Sequence, residues 1–112
     1  MQKQLNKQLD AIAKLEKDWD GDDADKPTDK SIQRVREFIK KLTHCTIKPH
    51  INPTRSGGVQ FEWEIDDGYF EIEFLDDEPP QTFWELGPTS SKRFVAFVKM
   101  MCEKESEKPN ES

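Results

Sequence analysis

The chain has 112 residues, of which 36% are charged and 33% hydrophobic, and its 17 basic and 23 acidic side chains give a net charge of −6. This length fits one compact domain, which we expect over residues 1–104, followed by a disordered polar tail at 105–112. No segment has the roughly 20 apolar residues of a membrane helix, and the N-terminus shows no signal-peptide pattern. Net negative charge argues against direct nucleic-acid binding. Two cysteines are too few for a disulfide scaffold, which favours a cytoplasmic protein.

The first part of the chain has the apolar spacing of two amphipathic helices. The first is predicted for residues 1–19, and the acidic run after Gly21 predicts a loop. Thr28 or Asp29 is the expected N-cap of the second helix, which should pack against the first as a hairpin. The predicted apolar stripes are Leu5, Leu9, Ile12, Leu15 and Trp19 in the first helix, and Ile32, Val35, Phe38, Ile39 and Leu42 in the second.

From residue 46 the apolar period changes from 3.6 to 2, which is typical of strands. Prolines at 49 and 53 restrict residues 47–52 to an edge strand, because proline donates no ladder hydrogen bond. Residues 59–65 and 70–74 alternate strictly around Asp66-Asp67-Gly68. This pattern predicts a hairpin whose two-residue turn is Asp67-Gly68.

The predicted hairpin separates an apolar face from an acidic face. Residues 58–88 hold ten acidic side chains and no Lys or Arg, so the excess negative charge lies in this segment. If Trp84 and Leu86 of a further strand point inward, Phe83 and Glu85 join the acidic side. On the apolar side the expected pairs are Ile65 with Phe70, Trp63 with Ile72 and Phe61 with Phe74. Across the acidic side, Glu64 would face Glu71 and Glu62 would face Glu73, although like charges in such positions are destabilising. The predicted partner-binding residues are Glu62, Glu64, Glu71, Glu73, Tyr69, Phe83 and Glu85.

The C-terminal part adds a short strand at 82–86 and a last helix after Pro88-Thr89-Ser90. One side of that helix carries Phe94, Phe97, Val98, Met101 and Cys102. The fold class expected is therefore α+β: an antiparallel three- to four-stranded meander sheet, with two N-terminal helices and one C-terminal helix packed on its apolar face.

The acidic face has four interpretations. Glutamates on one wet face of a sheet keep it soluble and guard its edges. Alternatively, Lys40 and Lys41, or Lys92 and Arg93, fold over the face and neutralise it. A third interpretation is a docking surface for a basic partner, which would steer encounter electrostatically. Metal binding by the glutamates is the fourth, although unanchored carboxylates on flat strands make a poor cage.

Two other clusters contain metal-ligating residue types. The alternating carboxylates of residues 18–25 suggest calcium, but an EF-hand needs Gly and Glu at places held by Asp23 and Asp29. His44, Cys45, His50 and Cys102 match no familiar zinc spacing, and Cys102 is better explained as a buried small hydrophobe. No nucleophile motif appears, so we expect no catalytic residue, no cofactor and no enzyme activity.

Three ordered motifs resemble a group of small bacterial proteins of unknown function. They are Trp19-Asp20-Gly21, the run from Gly57 to Trp63, and the run from Tyr69 to Phe74. The resemblance covers roughly residues 9–75 and departs after Gly21, where Asp22-Asp23 replaces a small or aromatic residue. It implies an intracellular protein of bacterial or phage origin and supplies no activity. For Trp19 and Asp20 we predict a structural role, with the indole closing the helix pair over the sheet and the carboxylate capping the loop.

The function that these patterns favour is a non-catalytic protein-binding or inhibitory module of antitoxin, anti-defence or enzyme-inhibitor type. Its acidic sheet face would bind a basic protein surface, for example that of an enzyme that acts on nucleic acids. The alternative is a structural or assembly subunit that self-associates, and a further alternative is a metal-dependent enzyme or sensor. The chain itself is expected to be a monomer or a homodimer.

Overall fold

Three helices and one four-stranded sheet make up the protein, for which a computed structural model describes residues 1–43, 45 and 47–106. The strands are all antiparallel and follow one another across the sheet in chain order, β1-β2-β3-β4. The predicted α+β meander with two N-terminal helices and one C-terminal helix is confirmed. The elements are α1 (Gln2–Ala13), α2 (Asp29–Lys41), β1 (His50–Pro53), β2 (Val59–Ile65), β3 (Gly68–Phe74), β4 (Gln81–Glu85) and α3 (Lys92–Ser106).

The two N-terminal helices form the expected hairpin. Arg36 of α2 pairs with Asp10 of α1 at 2.9 Å, and the Thr28 hydroxyl caps α2 by accepting the Ser31 amide at 3.1 Å. The extent predicted for α1 is wrong, because the helix ends at Ala13. Beyond it Asp18 adopts a left-handed φ of 69°, which no helix continues through.

The hydrophobic core lies between the helices and one face of the sheet. The side chains of β2 and β3 alternate between buried and partly or fully exposed along both strands, as the period-2 pattern predicts. Phe38 of α2 joins the layers, with its ring centroid 5.1 Å from that of Phe61 and 4.8 Å from that of Phe74. The core residues are Leu5, Leu9, Ile12, Val35, Phe38, Ile39, Leu42, Val59, Phe61, Trp63, Ile65, Phe70, Ile72, Phe74, Phe94, Phe97, Val98 and Met101.

The register predicted for the hairpin is wrong by two residues. Ile65 pairs with Gly68, so Asp66-Asp67 are the central residues of the turn. Asp66 supplies the left-handed conformation with a φ of 57°. Gly68 is needed for another reason, because a Cβ there would lie 2.6 Å from the ring of Phe94.

The shift of two residues changes the pairs but preserves the faces, since side chains alternate with period 2. Core pairs are therefore Phe61 with Ile72 and Trp63 with Phe70, in place of those predicted.

The C-terminal part covers less of the sheet than expected. β4 begins and ends one residue earlier than predicted, and α3 runs to Ser106, so it includes the first two residues of the tail predicted at 105–112. Residues 107–112 of that tail lie outside the described residues. Trp84 and Leu86 are still 49% and 56% exposed, because α3 packs beside them without closing over them. Cys102, predicted to be buried, is exposed. Within the described ranges, no helix has the length and apolarity needed to cross a bilayer.

Candidate partner-binding face

The face of the sheet away from the helices brings together every residue predicted for partner binding. Backbone pairing aligns His50, Glu62, Glu71 and Phe83 in one row across the four strands. A neighbouring row across β2, β3 and β4 holds Glu64, Tyr69 and Glu85. A third row on the same face, on the other side of the first row, aligns Glu73 with Gln60 and Gln81. We call this surface the acidic face, formed by Glu62, Glu64, Glu71, Glu73 and Glu85 together with Tyr69 and Phe83.

Like charges meet directly at only one place on this face. Glu62 lies opposite Glu71, whereas Glu64 lies opposite Tyr69 and Glu73 opposite Gln60. The expectation of two adjacent Glu–Glu pairs is therefore wrong, for the same reason as the register. Polar neighbours relieve part of the repulsion.

The Gln60 amide donates to Glu62 at 2.8 Å, and the Tyr69 hydroxyl donates to Glu71 at 2.6 Å. In both bonds a carboxylate oxygen is the acceptor, so neither bond adds a positive charge to the acidic face.

Among the described side chains, the helix lysines and arginines that form ion pairs do so away from the acidic face. Among the described residues, no ion pair involves any of its five glutamates. Lys40 pairs with Glu37 at 3.1 Å, and Arg93 pairs with Asp66 at 3.4 Å. The helices that carry these cations pack on the opposite face of the sheet. For Lys40 and Arg93, the structure therefore does not support the interpretation in which basic helix residues cover the glutamates.

Two aromatic side chains interrupt the carboxylates. Phe83 is 49% exposed, and its ring centroid lies 6.3 Å from that of Tyr69. Burial, and then the hydrogen bond to Glu71, raises the pKa of the Tyr69 phenol well above its ordinary value. Tyr69 is therefore a neutral donor at physiological pH, and the pair offers a small apolar platform ringed by negative charge.

The sequence did not predict an apolar groove at the free edge of the sheet. This β4 groove has a volume of about 320 Å³, and its walls come from β4, the following residues and α3. Val95 on α3 is 52% exposed there, and it lies outside the stripe predicted to face the core. The sequence feature that could have predicted this groove is the presence of apolar residues on a second side of α3, in addition to the side that faces the core. The lining residues are Trp84, Leu86, Phe94, Val95, Val98, Lys99 and Cys102.

The Asp-rich loop uses its carboxylates to hold its own backbone. Asp20 accepts the amides of Asp22 and Ala24 at 2.8 and 3.1 Å, and its other oxygen accepts Arg55 Nε at 3.0 Å. Partial burial opposes ionisation of Asp20, but these hydrogen bonds and the Arg55 charge outweigh it and lower the pKa of the carboxyl. The predicted capping role of Asp20 is confirmed.

The rest of the loop is also occupied by contacts within the chain. The Trp19 indole donates to the Asp25 carbonyl at 2.9 Å, while Lys17 pairs with Asp23 at 2.9 Å. Trp19 thus closes the loop itself, and the predicted contact over the sheet is replaced by this bond. Among the described residues, no three His, Cys, Asp or Glu side chains are grouped so that they could hold a metal ion.

The structure describes three of the four residues considered as zinc ligands. Cys45 donates its thiol to the Ile47 carbonyl at 3.3 Å, His50 is exposed at the β1 edge of the acidic face, and Cys102 lies on the β4 groove. His44 lies outside the described residues. The three described members therefore have separate surroundings.

Comparison with known proteins adds no family: no family model matches the chain, and neither a curated protein nor a solved structure matches it.

Proposed function

We propose that this protein is a non-catalytic binding module that presents the acidic face to a basic protein surface, acting in the manner of an antitoxin, an anti-defence protein or an enzyme inhibitor. The observation that carries the proposal is the unneutralised alignment of Glu62 and Glu71, flanked by three further glutamates. Carboxylates concentrated on one face raise the rate of encounter with a basic partner and disfavour acidic competitors.

Affinity would come from a small part of the face. Phe83 and Tyr69 are the side chains that can lose apolar area on binding, and the surrounding carboxylates exclude other partners. The face is open, without the sheltered pocket that acid–base catalysis needs, which favours binding over chemistry. A bacterial or phage protein that acts in the cytoplasm fits this proposal.

The test reverses charge on the acidic face without touching the core. Glu62→Lys with Glu73→Lys should abolish partner binding while leaving the fold intact or more stable, because Glu62→Lys removes the repulsion between Glu62 and Glu71, and Glu73 lies opposite the neutral Gln60. The matched control is Glu16→Lys with Glu37→Lys, which makes the same change in net charge on exposed helical and loop positions.

The readout is affinity capture from the native host by wild type and both variants, quantified by mass spectrometry. Basic proteins retained by wild type and by the control, and lost by the face variant, would support the proposal. Equal recovery by the face variant, with its circular dichroism unchanged, would refute it.

Self-association is the second candidate, and the exposed β4 groove favours it. Trp84, Leu86 and Val95 present adjacent apolar surface at a sheet edge, and such patches often mark interfaces. Sedimentation at low and high salt distinguishes the candidates, since a dimer that persists at high salt indicates apolar assembly. A monomer at both salt concentrations would remove this candidate.

A further inference from the structure

The two edges of the sheet differ in how they are protected. β1 has four residues and ends at Pro53, with Pro49 immediately before it. Proline has no amide donor, so it blunts an edge against further strands. β4 is likewise preceded directly by prolines, Pro79 and Pro80, but none of its own five residues is proline or lysine. All five are exposed, and among the described strands β4 pairs with β3 alone. Within the described part of the chain, the outer edge of β4 is therefore unpaired and every residue from Gln81 to Glu85 keeps its amide donor, so this edge can accept another strand.

The two sides of this open edge have different chemistry. On one side are Phe83 and Glu85 of the acidic face, next to Glu71 on β3. On the other side is the β4 groove. Trp84 of β4 and Val95 of α3 both line this groove. An added strand would therefore meet carboxylates with one set of alternate side chains and apolar surface with the other.

We infer that the basic partner binds by strand addition to β4, through an extended segment in which basic and apolar side chains alternate. The inference rests on the proposed function for the role of the acidic face, and it adds the edge, the conformation and the side-chain pattern of the bound segment. Main-chain hydrogen bonds to β4 would supply affinity, and the two unlike sides would supply specificity.

A second copy of this chain fits the same edge less well. Its own β4 reads Gln81-Thr82-Phe83-Trp84-Glu85, in which the only ionisable side chain is acidic. Self-pairing would bring two acidic faces side by side and add no cation to either. Charge complementarity therefore favours a basic segment over a homodimer at β4.

The probe is a short synthetic peptide in which lysine and valine alternate, with both ends capped. One control has the same residues in two blocks, and another replaces each lysine by glutamate. We expect the alternating lysine peptide to bind about tenfold or more tightly than either control, and more weakly as salt rises from about 0.05 to 0.5 M. It should also slow amide hydrogen exchange at Gln81–Glu85.

Backbone pairing is tested by methylating alternate amides of the peptide. In an extended strand alternate amides point to opposite edges, so methylating one set should weaken binding far more than methylating the other. The groove is tested with Val95→Glu, matched by Ala96→Glu at an exposed α3 position outside the groove lining. Only the first substitution should weaken binding.

Each contrary result identifies what has failed. If the block peptide binds as well as the alternating one, or if protection falls on β1–β3 and spares β4, strand addition is wrong and the proposed function stands. If the glutamate peptide binds as tightly as the lysine peptide, both strand addition by a basic segment and the proposed function are wrong, because charge then does not contribute to binding. A salt-resistant dimer that no peptide dissociates would place a second copy at β4 and overturn the inference.

Discussion

Replacing Gly68 with alanine should destabilise the protein through a single steric conflict. Gly68 lies directly after the hairpin turn, and a Cβ there would lie 2.6–2.7 Å from three ring carbons of Phe94. Phe94 is fully buried, and it is the first residue of α3 that packs in the core. Carbon atoms need about 3.5–4.0 Å, so the ring or the hairpin must move by about 1 Å. Overpacking of this kind typically costs about 1–3 kcal/mol.

The measurement is urea unfolding followed by tryptophan fluorescence. Gly68→Ala should lower the midpoint with an unchanged m-value, since the surface exposed on unfolding is nearly the same. Gly68 has no positive φ, so alanine suffers no backbone penalty there. Gly21→Ala is the informative comparison, because nothing lies within 4 Å of its Cβ position but its φ is +73°. That variant should lose about 1 kcal/mol through backbone strain alone.

A double-mutant cycle separates the clash from other effects. Phe94→Leu removes part of the ring that a Cβ at position 68 would meet, so Gly68→Ala should cost clearly less in that background. A free energy of unfolding for Gly68→Ala within about 0.5 kcal/mol of wild type would refute the close packing of the hairpin against α3. The same conclusion would follow if the two substitutions were strictly additive.

Three further predictions concern the cap, the turn and the acidic face. Thr28→Ala should lower the free energy of unfolding by about 1 kcal/mol, because the hydroxyl caps α2 and also donates to Asp76; urea unfolding checks this, and Thr28→Ser should retain most of the stability. Thr89 donates its amide and hydroxyl to Asp67, which lowers the pKa of that carboxyl. Asp67→Asn should therefore lower the free energy of unfolding by a constant amount above about pH 5. This difference from wild type should shrink as the pH falls through the lowered pKa of Asp67 in the folded protein. A difference that grows on acidification would contradict the prediction. Glu62→Gln should raise stability by some tenths of a kcal/mol at low salt, and the gain should fade as salt screens Glu71; equal midpoints at low salt would mean that the repulsion is already relieved.

Local patterns predicted the hairpin faces because the period of 2 assigns alternate residues to opposite sides, and the actual register differs from the predicted one by two residues, which leaves each side chain on its side. Residues 59–65 and 68–74 therefore separate carboxylates from core side chains as expected. The turn itself was assigned incorrectly because an Asp-Gly pair usually signals glycine at positive φ. Here the Phe94 ring leaves no room for a Cβ at Gly68, a contact between residues 26 positions apart that no local pattern reveals.

The end of α1 and the exposure of β4 also depend on distant contacts. Residues 14–19 favour a helix by composition, but the Asp18 amide donates to the Ala24 carbonyl at 2.7 Å and closes a loop instead. Arg55 then fastens that loop to the turn before β2. Likewise, the apolar side chains of β4 predict burial, and their exposure depends on where α3 packs.

Solubility alone explains the acidic face poorly. A surface that serves only solubility can intersperse both signs of charge, and residues 1–57 do so with 12 basic and 9 acidic side chains. The sheet instead places Glu62 opposite Glu71 at a cost in stability, and the described cations that pair lie elsewhere. Guarding an edge is no better an explanation, since the like-charged pair lies on the two central strands and the open edge at β4 carries exposed aromatic residues. Negative charge concentrated on one face, next to a strand edge with exposed aromatic side chains, is what we expect of a recognition surface.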